Sequence, residues 1–181
     1  YKLAENMIIE MPSSLSEIWD ARLDNFLKSR SEHDAECLEL AACLGLRVNL
    51  AEWTALCRVA DVNVSPGLRN EVVEQRFVTE LSEESGQVSW HFAHGMIREA
   101  LLRHARRMGR FERHNTHAVN MLRVADAPPS RIGKHLLAAT QWNAALGPLE
   151  RAVREAMVAG DHRAAQSALI DWTDALRLLN F

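Results

Sequence analysis

Cysteine is scarce in this chain. Cys37, Cys43 and Cys57 are odd in number and lack CxxC spacing. That argues against a disulfide framework and for buried free thiols in a reducing cytosol. A basic excess is also missing: 21 Lys and Arg face 24 Asp and Glu, for a net charge of −3. A general nucleic-acid coat would carry the opposite balance. No apolar run approaches the length that crosses a bilayer, and no signal peptide opens the chain. The sequence begins at Tyr1 inside one amphipathic segment and stops inside another, as expected of a piece of a longer polypeptide. Phosphate loops of the GxxxxGK[ST] kind, Gly-rich dinucleotide turns, GxSxG elbows and HExxH pairs are all lacking. The residues present therefore imply no enzyme, no metal and no cofactor held by this stretch alone.

What is there is helix. PSSLSEIWDARLDNFL (12–27) has Ser14 as N-cap and Glu17 at capping-box spacing, with Leu15, Ile18, Trp19, Leu23, Phe26 and Leu27 on one stripe. DAECLELAACLGL (34–46) is largely apolar and stops at Gly45; NLAEWTALCRVA (49–60) starts from Asn49 as N-cap. The spacing predicts another helix from Leu68 to about Leu81. FVTELS and VSWHF, separated by a polar turn, also read as a hairpin with Val88, Trp90 and Phe92 on one face. From Gly95 the chain is helical to Met108, breaks at Gly109 and resumes over 111–125. Residues 126–130, DAPPS, form the clearest linker.

Beyond it, Ala144, Ala145 and Leu149 repeat at the spacing of Ala164, Ala165 and Leu169, with Gly160 and Asp161 between the two helices. Stacked hairpins of the tetratricopeptide type fit this pattern, and so does an unrelated antiparallel pair. Pro148 should kink the first of the two. The expected fold class is mainly α. Residues 1–125 form a winged-helix domain, helices closed by a small β-hairpin; 126–130 form the linker, and 131–181 the start of a helical-repeat region.

Two histidine pairs have spacings close to those of metal ligands. His91 and His94 point to opposite faces of a strand, and His114 and His117 lack a completing cluster, so both pairs read as solvated histidines. Nothing in the sequence brings Cys57 or a serine to a histidine as a catalytic dyad. The arginines of 98–113 either grip phosphate or cover apolar neighbours with their stems, the second being favoured for Arg103 and Arg106. A winged helix that read DNA would use the helix at 68–81, where Glu71, Glu74 and Glu80 outnumber Arg69 and Arg76. Direct DNA binding is therefore not expected. Trp142 and Trp172 lie at core-like spacing, and packing accounts for them better than a scaffold groove.

WHFAHGMIREALL (90–102) resembles the F-x-H-A-L-[VI]-R-E-A-L signature of STAND-class ATPases, which include LuxR-type regulators and cyclase- or kinase-linked ATPases. MPSSLSEIWDARLDNF, LELAACLGLRVNLAEW and the trio Arg110, His114 and Ala118 are similar to that class's neighbouring motifs, in the same order. Gly95 replaces the usual Ala and Val48 the usual Phe. The resemblance implies a winged helix between a P-loop core upstream in the same chain and a helical-repeat sensor. It implies ATP or ADP as the full-length protein's cofactor, a protein or small-molecule inducer, and self-oligomerisation. A cytoplasmic place and a role in signal transduction and transcription regulation follow. By the same resemblance His94 is the nucleotide-state sensor, and Arg98, Arg107 and Arg110 are domain or phosphate contacts.

Overall fold

The computed structural model describes residues 15–82 and 88–180. Several of its helix ends are set by short capping side chains and glycines. The first, α1 (Leu15–Leu27), is peripheral and buries Leu23, while Ile18, expected on its apolar stripe, is exposed. Ser14, its expected cap, lies outside the described residues. Next, α2 (Glu32–Leu44) starts earlier than the sequence suggests, because the Ser31 hydroxyl accepts from the Asp34 backbone N–H at 3.1 Å. It stops at Gly45, whose φ of +134° suits a residue without Cβ.

A strand follows that the sequence did not announce, β1 (Arg47–Asn49). Asn49 ends it and caps α3 (Leu50–Val59), its Oδ1 accepting from Ala51 and Glu52 N–H at 2.9 and 3.1 Å. Such a cap stabilises by about 1 kcal/mol. The helix expected over 68–81 is cut short: α4 (Leu68–Glu74) buries Leu68 and Val72, and Arg76 turns the chain at φ +54°. Residues from Val78 then pair as strand, so hydrophobic alternation opposite Trp90 prevails over helical spacing.

The strands β2 (Val78–Ser82) and β3 (Val88–Phe92) form the expected antiparallel hairpin, and β1 adds to the other edge of β3 to give the order β1-β3-β2. Trp90 faces Val48 on one side and Glu80 on the other. Its ring is buried 4.5 Å from that of Trp53, whose Nε1–H donates to the Cys37 carbonyl at 2.7 Å. All three cysteines are buried free thiols.

After the sheet come α5 (Gly95–Arg107) and α6 (Phe111–Val124), parted by Gly109 at φ +67°. The proline pair of 126–130 makes a turn, with Pro129 occupying the first turn of α7 (Pro129–Ala138), where its missing N–H costs nothing. The last two helices are α8 (Trp142–Val158), which accommodates Pro148, and α9 (His162–Leu178). Alanines carry their packing: Ala145 and Ala152 on α8, Ala165, Ala168 and Ala175 on α9. One apolar cluster runs from Leu23 through Trp90 and Leu122 to Leu136, Leu149 and Ala175, passing across the 126–130 turn. The molecule is thus mainly helical with a small three-stranded antiparallel sheet. No described helix is long and apolar enough to cross a membrane.

Candidate functional site

The joint between β3 and α5 is made by two sheet-like hydrogen bonds and then a helix start. Phe92 N–H donates to Leu46 O at 3.0 Å, and Ala93 N–H to Phe77 O at 2.9 Å. His94 follows as the N-cap residue of α5 in extended conformation, with Ile97 N–H donating to its carbonyl at 3.0 Å. Its side chain makes no cap hydrogen bond and is exposed. Among the described residues its ring contact is with Trp19 of α1, at 5.6 Å between centroids. The imidazole therefore stands at the positive end of the α5 dipole, open to solvent on one side and covered by α1 on another.

Its cover is tied down by charge. Arg103 and Arg107, one turn apart on α5, meet Asp20 and Asp24, one turn apart on α1, at 2.8 and 2.9 Å. Arg22 of α1 lies over the Trp19 and Phe77 rings and donates to Gln75 O at 2.6 Å. Such surface and half-buried pairs hold a helix weakly, an exposed one contributing about 0.2–1 kcal/mol.

The three arginines singled out with His94 go to three different neighbours. Arg98 donates from Nε to Ala42 O at 2.8 Å, satisfying a carbonyl near the end of α2, and pairs with Glu99 at 2.7 Å. Arg107 holds Asp24. Arg110 is buried, with its Nε and Nη2 on Glu39 at 3.0 and 2.7 Å and Nη1 on Glu32 at 2.8 Å.

Glu39 is the residue that sequence reasoning missed. It is fully buried within α2 and takes two further hydrogen bonds, from His104 Nδ1 at 2.6 Å and His114 Nε2 at 2.7 Å. Burial alone would raise its pKa, but the bonds from His104, His114 and Arg110 outweigh that and hold the carboxyl well below the usual carboxylate range. His114, expected to be solvated, is therefore a core residue; its Nδ1 is buried without a partner. This cluster clamps α2, α5 and α6 together.

Nucleophilic chemistry finds no support in the thiols: burial raises Cys43 to about 12, and a hydrogen bond with Cys37 together with burial raises Cys57. Among the described residues no group of three or more His, Cys, Asp or Glu side chains is arranged to hold a metal ion. Comparison with protein-family models, curated proteins and solved structures finds no match to this chain.

Proposed function

We propose that this chain is a regulatory module of a STAND-class signal-transduction ATPase. In this reading α2-β1-α3-α4-β2-β3 is a winged helix, and α7 to α9 begin a tetratricopeptide-like sensor. The module couples the ADP or ATP state of a P-loop domain upstream in the same polypeptide to an inducer, protein or small molecule, sensed by the repeats. The output is regulatory, transcriptional in the LuxR-type members of the class, and the module itself is not an enzyme.

The observation that carries the reading is the state of His94. Its ring sits at a helix N-terminus, exposed, with no side-chain cap hydrogen bond and, among the described residues, the Trp19 ring as its aromatic neighbour. Backbone N–H groups at such an end favour an anion, and an imidazole there adds a donor for phosphate oxygen. With ADP bound, His94 ties the winged helix to the nucleotide; exchange for ATP with inducer releases it for self-oligomerisation.

In the full-length protein, His94→Ala is expected to give inducer-independent activity and faster nucleotide exchange. Wild-type exchange together with retained inducer dependence would remove the sensor role. A DNA-binding winged-helix regulator that used the arginine helix at 98–113 is the alternative, and it draws little support, since Arg103, Arg107 and Arg110 are all bonded to carboxylates. On the helix that would enter a groove, Arg69 is paired with Glu80 and Glu71 with Arg30.

A further inference from the structure

Where α2 ends, α5, α6 and α7 enclose a cleft of about 450 Å³. Arg98 and Arg106 reach its walls from α5, Arg131 and Lys134 from α7, against the single wall carboxylate Glu99. Glu99 is paired with Arg98 at 2.7 Å. The carboxylates answering the other two, Glu52 on Arg131 at 2.7 Å and Asp171 near Lys134 at 3.7 Å, are not wall residues. Arg106 has no carboxylate partner among the described residues; its guanidinium lies 4.0 Å over the Phe111 ring, which also lines the cleft. The C-terminal end of α2 would bring negative dipole here, but Arg98 Nε already covers the Ala42 carbonyl at 2.8 Å. Arg106 is thus the wall cation left without a carboxylate, with Lys134 only loosely matched.

Two buried polar side chains, Asn115 and His135, also line the cleft. Asn115 donates from Nδ2 to Phe111 O at 2.8 Å, so its Oδ1 is the acceptor for His135 Nδ1–H, also at 2.8 Å. That bond fixes the tautomer and leaves the lone pair on His135 Nε2, which has no hydrogen-bond partner among the described residues.

We propose that this cleft binds the phosphate group of a small phosphomonoester. Guanidinium forks match phosphate oxygens two at a time, and Arg106 is free to supply one. A phosphomonoester has a second pKa of about 6. Near neutral pH its monoanion therefore carries a P–O–H that can donate to the neutral Nε2. Sulfate, with acceptors alone, satisfies the arginines but not the imidazole lone pair. The cleft falls within the range of small-molecule sites and leaves room for an organic body beside Phe111. His94 is not among the wall residues, so this site and the nucleotide sensor stand or fall separately.

The test is calorimetric titration of the protein at pH 7 and fixed ionic strength with inorganic phosphate, glycerol phosphate and sulfate. Saturable binding of both phosphate probes is expected, with Kd on the order of 1 mM for the inorganic ion. Sulfate should bind about tenfold more weakly. The double variant Arg106→Gln, Lys134→Gln changes two side chains at the cleft's walls without touching the core and should weaken phosphate about tenfold at unchanged circular dichroism. Failure of either phosphate probe to saturate, equal affinity for sulfate, or an unaffected double variant would each overturn the proposal.

Discussion

Glu39 and Arg110 contribute differently from the surface arginines, because water cannot take over when one partner is lost. The carboxylate has its oxygens filled by one bidentate guanidinium and two imidazoles, all within the helical core. Replacing Glu39 with Gln keeps the shape but leaves the buried Arg110 charge without its main counterion. The expected loss is about 3–5 kcal/mol of unfolding free energy, read from urea denaturation with an unchanged slope. Arg107→Gln, which breaks only an exposed pair with Asp24, should cost under about 1 kcal/mol in the same assay. Equal losses for the two would mean that Glu39 and Arg110 are not paired in solution. A clue to Glu39 did stand in the sequence, as a carboxylate within the apolar run CLELAACL. Its partners did not: His114 lies 75 residues further on, and nothing local distinguishes a histidine that closes a buried cluster from one facing water.

Helices were legible wherever their own neighbours specify them. Asn49 caps α3 as its type and position require, Gly45 and Gly109 stop α2 and α5, and FVTELS pairs with VSWHF. The strand β1 was not legible, because three residues carry no alternation and its partner Trp90 comes far later in the chain. For the same reason the apolar spacing of 68–81 looked helical beyond Glu74 until β3 was there to pair with it. Between α7 and α8 the decisive feature is a missing side chain. A Cβ on Gly133 would come within 2.4 Å of Leu149 Cδ2 and 2.5 Å of its Cγ, and Leu149 is wholly buried with no room to retreat. Gly133→Ala should therefore push the two helices apart and cost about 1–3 kcal/mol, although alanine is the better helix former. Gly147→Ala, on α8 with nothing within 4 Å of the new methyl, should be neutral or stabilising by up to about 1 kcal/mol. Thermal melts of the pair, side by side, separate close helix packing from propensity; a Gly133→Ala protein as stable as the wild type would refute the contact.

For the molecule as a whole, buried titratable groups set the direction in which pH acts. His135 is lowered from its ordinary 6.5 to about 4, first by burial and then by the charges of Arg131 and Arg98, with Glu52 opposing. A depressed folded-state pKa means the neutral ring belongs to the native state. Its contribution is complete above about 6.5 and is lost as pH falls through about 4. That loss is about 3 kcal/mol, with a slope of at most about 1.4 kcal/mol per pH unit. His117, lowered by burial and by His114 and Arg113, acts in the same sense. Glu39, held low by its three cationic or N–H partners against burial, adds a second loss once pH drops below the ordinary carboxyl value of 4.5. Asp171, raised by burial, opposes these losses and softens them. The melting temperature should hold down to about pH 7, decline from about 6.5, and fall more steeply below about 4.5. In His135→Gln the decline between 6.5 and 4.5 should shrink while the steeper fall remains. These melts belong in a buffer without phosphate, because the inorganic ion bound in the cleft would stabilise the native state and mask the first phase. A melting temperature that stays level from pH 7 to 5 in such a buffer would mean that His135 is not buried as a neutral ring.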